Sequence, residues 1–244
     1  MSTAQTIRDA VAEVERLREE SRAEPRIGHA VAQLKRFQAA RFAGTYADLL
    51  ASGIYGDAAR FFLEELYGNR DYADRDAQFA RIAGAVEKLF PKDVARTAAA
   101  LARLHALTES LDHAMAHALP AGDPPTAAAY VRAWMGVGRR TDRQHQLDSV
   151  VAMGEEMTRL TRLPGLRMML RMMRKPATSA GMGALQRFLE TGFDTFASVA
   201  RQTGGAEQFL ATIREREQRL LDLLFDAEPV SCETELRRLL GQAG

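Results

Sequence analysis

Apolar residues recur along this chain at spacings of three and four, and the recurrence breaks at proline, glycine or a run of charge. At about 100° per residue such spacing gathers them on one side of a helix. No stretch alternates β-branched and polar residues over the length of a strand. The pattern predicts an all-α fold, a single multi-helix bundle of about ten to twelve helices, with residues 1–244 forming one helical domain.

The first stripe is Ile7, Val11, Val14 and Leu17, in a helix over about 3–22. A second helix follows Pro25 with Ile27, Val31, Leu34, Phe37 and Phe42, and stops at Gly44. Thr45 is expected to cap a short turn, and Asp57 to open DAARFFLEELYG, closed at Gly68. Phe79, Ile82, Val86 and Leu89 mark the next helix, before the longest one, Pro91 to Leu119. Asp123 and Pro124 read as a cap and first turn, and Thr141 as the cap of a helix to Leu163. Pro164 starts a short basic helix that PATSAGMG ends. Two helices, 182–203 and 206–225, divide at Gly204 and Gly205, and Ser231 caps the last. All eight prolines fall where helical periodicity starts or stops.

Charged residues inside these stripes carry more information than the stripes, because burying a charge is costly unless it is paired. In the 91–119 helix, Leu101, Leu104, Leu107, Leu111, Met115 and Ala118 form an apolar arc. His105 and Asp112 lie on its border with Glu109 just beyond, whereas His113 and His117 point toward water. Glu65 falls between Phe61 and Phe62, Arg143 among Leu147, Val150 and Met157, and Glu217 inside the stripe of Phe209, Ile213, Leu220 and Leu224. Two arrangements follow. If the acids pair with Arg143, Arg41 or Arg75, the cluster is scaffold. If Glu65, Glu109, Asp112 and Glu217 gather around His105, they form a carboxylate and histidine site for iron or manganese, although no Glu-x-x-His pair is present.

Residues 157–189 contain no acid and seven basic residues. In LPGLRMMLRMMRK, Leu166, Met169, Leu170 and Met173 make one face and Arg167, Arg171 and Arg174 another. This segment is expected to pack on acidic helices, to meet a protein partner or second copy, or to contact an anion. The turn GVGRRTDR sets Arg139, Arg140 and Arg143 at a helix start, where backbone N–H groups favour anions.

Composition narrows the classes. With 33 basic against 32 acidic residues, no global field favours nucleic acid. The one cysteine, Cys232, excludes an intrachain disulfide framework and suits a reducing compartment. No apolar run is long enough for a transmembrane helix, and MSTAQTIRDAVAEVERLREE lacks a secretory apolar region. A cytoplasmic, bacterial protein is expected. Neither a nucleophile elbow nor a dinucleotide fingerprint is present.

The stretches RFAGTYADLLAS, AARFFLEELYGNRDYADRDAQFARI, LHALTESLD and GALQRFLETGFDTF resemble an uncharacterised all-helical bacterial family, which implies one helical unit and no particular activity. The expected function is binding, of a protein partner or small ligand, with no cofactor and with homodimerisation through the Met/Arg segment. The alternative is a non-haem metal-dependent oxidoreductase.

Overall fold

The structure, a computed structural model, describes residues 1–65, 72–120, 122, 124–202 and 204–241. Among the described residues there are twelve α-helices and no strand. They are α1 (Thr3–Ala23), α2 (Pro25–Thr45), α3 (Ala47–Ala51), α4 (Gly56–Glu65), α5 (Ala73–Leu89) and α6 (Lys92–Ala118). After these come α7 (Ala127–Val137), α8 (Arg140–Leu160), α9 (Leu166–Ser179), α10 (Gly183–Val199), α11 (Gly205–Asp226) and α12 (Pro229–Gly241).

The chain divides into two compact units. The first holds residues 3–15 of α1, α5, 92–106 of α6, 149–160 of α8, α9, α10 and 205–210 of α11. The second holds 16–23 of α1, α2 to α4, 107–118 of α6, α7, 140–148 of α8, 211–226 of α11 and α12.

Small residues let helices approach closely in the first unit, where Ala4, Ile7 and Ala10 of α1 meet Ala83, Ala99 and Ala102. Orphan N–H groups at two helix starts find acceptors on α5: Thr3 N donates to Glu87 Oε1 (2.7 Å) and Leu185 N to Gln78 Oε1 (3.0 Å). Helix α9 lies against α10 through Leu166, Met169 and Leu170, which pack with Leu160, Phe193 and Ala197. Buried Gln186 fixes that contact, its amide donating to Leu170 O (2.6 Å) and Glu190 (2.8 Å).

In the second unit Leu34 and Phe37 of α2, Met115 of α6, Tyr130 and Trp134 of α7, Leu224 of α11 and Leu236 of α12 share one core. Phe37 stacks on Tyr130 with centroids 4.6 Å apart, and Tyr130 on Trp134 at 5.9 Å. Gly44 lets α2 and α12 touch, since a Cβ there would lie 1.8 Å from Leu239 O.

Several expected boundaries move, each for a local reason. Thr126 caps α7, its Oγ1 accepting from Ala129 N, so Pro124 precedes the helix; Asp123 lies outside the described residues. The Thr45 hydroxyl donates back to Arg41 O, leaving Tyr46 at the N-cap of α3. Thr141 and Ser231 fall inside the first turns of α8 and α12. Pro176 lies inside α9, in its last turn, and α9 runs on to Ser179 without the amide bond that Pro176 cannot donate to the Met172 carbonyl. Leu89 ends its stripe 74% exposed, and Gly68 lies outside the described residues. Among the described residues no helix is long and apolar enough to cross a membrane.

Candidate functional site

The polar residues predicted inside apolar stripes fall into two separate clusters. In the second unit Asp112 of α6 is 3% exposed and accepts from Gln38 Nε2 (3.0 Å). Gln38 follows Phe37 on α2, so seating Phe37 in the core delivers the amide to Asp112. Burial pushes the Asp112 carboxyl above its ordinary pKa, Glu109 adds to the rise, and Lys35 and Arg143 oppose it. Glu109 itself accepts from Lys35 Nζ (2.5 Å). Arg143, 5% exposed, lays its guanidinium 4.1 Å from the centroid of Trp134. Burial also raises Tyr130, against the pull of Arg143 and Arg41. One turn away along α2, Arg41 donates to Glu217 Oε1, which also accepts from Tyr46 Oη at 2.8 Å.

Four of the five residues of the expected metal set therefore face other partners. Asp112 meets an amide beside a guanidinium, Glu109 an ammonium, and Glu217 a guanidinium and a phenol. Glu65 ends α4. His105 belongs to the first unit, where its Nε2–H donates to Asp76 Oδ2 (2.9 Å). Arg75 Nε lies 3.8 Å from the same carboxylate, its guanidinium 4.5 Å from the Phe188 ring centroid. Among the described residues no three His, Cys, Asp or Glu side chains come close enough together to hold a metal ion. Asp76 escaped the sequence reading because it ends the charged run NRDYADRD, read as a connector. Its spacing to Phe79, Ala83 and Val86, three, four and three, was the signal that it shares their face.

The expectation that His113 faces water is corrected. Its side chain is only 12% exposed, its ring centroid lies 4.7 Å from that of His117, and Nε2 lies 3.8 Å from the Glu20 carboxylate. Glu20 of α1 reaches this side of α6, which the wheel of one helix could not reveal. Burial, then His117, lowers the His113 pKa. His117 stays exposed.

The arginines read as anion or partner ligands divide similarly. Arg139, at φ 59°, donates to Asp142 Oδ2 (2.7 Å) and Ser110 Oγ (3.0 Å), so its side chain holds the turn. Arg140 donates to Asp226 Oδ2 (2.7 Å) beside the Phe225 ring. A groove of about 1150 Å³ against α11 and α12 has its walls set by such pairs, Arg216 with Asp48 and Arg238 with Glu235.

On α9, Arg167 pairs with Asp194 and Arg174 with Glu190. Arg171 and Lys175 are exposed and form no ion pair among the described residues. Leu166, Met169 and Leu170 pack as expected, while Met173 emerges to 37%. Met168 and Met172 are 67% and 66% exposed. These two escaped the sequence reading, although their spacing of four, opposite Leu166 and Leu170 on the wheel, was visible in it.

Residues 17–231 match a family described as Domain of unknown function (DUF8198). No curated protein and no solved structure matches the chain. A match over that much of the sequence, on the helices that carry both polar clusters and α9, places this protein in the DUF8198 family.

Proposed function

We propose that this protein works by binding, and that the outer face of α9 is the surface it uses. The observation that supports this is the exposure of Met168 and Met172, at 67% and 66%, on a helix whose inner face is already packed. Methionine is flexible and polarisable, so a pair of them at helical spacing suits adaptable contact with another side-chain surface. The acids and His105 lend catalysis no comparable support, since each acid meets a donor, and His105 a carboxylate acceptor, from its own unit.

A photo-reactive residue placed at position 172, in cells that make the protein natively, tests the reading. A discrete adduct is expected from position 172 and none from position 230, where Val230 is 73% exposed on α12. An adduct at twice the monomer mass identifies a second copy, and any other mass a different partner. Equal or absent labelling at both positions sinks the proposal.

A further inference from the structure

The charge around the exposed methionines selects what they meet. At about 100° per residue, Lys175 and Arg171 follow Met168 and Met172 around the outer side of α9, with Arg167 and Arg174 one step further. Asp194 and Glu190 of α10 answer the outer two arginines. Arg171 and Lys175 form no ion pair among the described residues, and the sequence supplies no acid between 157 and 189. The strip is therefore apolar along one edge and cationic along the other.

Building on the binding reading, we infer that the outer face of α9 takes an amphipathic helix from an acidic partner protein, its apolar residues on Met168 and Met172 and its carboxylates on Arg171 and Lys175. A second copy joined by the same face would set Arg171 and Lys175 near like charges, which opposes pairing. A bilayer surface is less well matched, because the apolar strip is two side chains long, one wide, and carries no aromatic anchor. A helix laid along a helix needs only such a narrow strip, read at spacings of three and four.

The test uses the full chain and two synthetic helical peptides of about 20 residues, long enough to overlie α9. Both carry leucine at the a and d heptad positions; one has glutamate at e and g, the other lysine. Fluorescence anisotropy at low salt is expected to show the glutamate peptide binding at least ~10-fold more tightly, an advantage that shrinks as salt screens exposed charge. Arg171→Glu with Lys175→Glu is expected to reverse the preference, and Met168→Ser with Met172→Ser to weaken both peptides.

Equal affinity, no binding, or glutamate-peptide binding untouched by these variants overturns the inference. So does self-association in sedimentation that Met168→Ser with Met172→Ser abolishes, and so does capture by anionic phospholipid vesicles in place of either peptide. Cross-linking at position 172 together with equal peptide affinities overturns the acidic partner alone. Loss of the cross-link overturns the binding reading beneath it.

Discussion

Around Asp112 and Glu217 the second unit carries charge where a helical core ordinarily carries leucine. On α9 the first unit carries methionine where a surface ordinarily carries charge. Both run against simple partition, but they differ in whether the chain supplies its own compensation. Asp112 has the Gln38 amide and the fields of Lys35 and Arg143, and Glu217 has Arg41 and Tyr46. Among the described residues nothing comparable covers Met168 and Met172, which stay 67% and 66% exposed. A compensated mismatch is part of the scaffold, because its partners already exist within the fold. An uncompensated one is where the proposed binding would place a partner.

That contrast is sharpest where a compensated charge is broken. Glu217→Ala removes an acceptor from both Arg41 and Tyr46 and is expected to cost about 3–5 kcal/mol in urea unfolding, the range for breaking a buried pair. Glu217→Gln keeps an acceptor for the phenol and should lose less. Equal stability of Glu217→Ala and wild type would erase the distinction between the regions.

Asp112 tests compensation through pH. Its folded pKa is raised, so the folded state holds the proton more tightly than the unfolded state, whose value is about 3.9. The stability of wild type relative to Asp112→Asn is therefore expected to fall as pH rises from about 4 toward the raised folded value, and to level off above it. A pH-independent difference would show that Asp112 stays ionised in the folded protein.

His113 gives a smaller effect of opposite sense. Its folded pKa is lowered, so the unfolded state takes up the proton first. Wild type should lose stability relative to His113→Gln as pH drops below about 6.5 and through the folded value. An unchanged difference between pH 7 and pH 5 would mean that Glu20 offsets the burial and His117.

The smallest effect is expected on α9. Arg171→Glu with Lys175→Glu should leave stability within about 0.5 kcal/mol of wild type, as exposed positions do, while cross-linking from position 172 disappears. A loss of several kcal/mol there would make α9's outer face structural and remove the comparison.

Helix type was legible because periodicity reports local geometry. The stripes of Leu34 and Phe37, Leu111 and Met115, and Phe209 and Ile213 all lie in the core. The misfit charges were legible for the same reason, and Arg41 was among the partners anticipated for the acids. Caps were less so. Thr45, Thr141 and Ser231 are good cap types, but a hydroxyl satisfied by a preceding carbonyl or drawn inside a helix does not mark its start. Pro176 misled because α9 continues past it to Ser179 despite the lost amide bond.

What the sequence by itself determined is the helical character of the chain, the inner face of most of its helices and several of the charges that required partners, though not Asp76. Each follows from spacing along one element. Only the tertiary structure decided which partner each charge met: Asp76 for His105, Lys35 for Glu109, Gln38 for Asp112, and Glu20 of α1 beside His113. Those contacts join residues far apart in sequence, and no helical wheel contains the second helix.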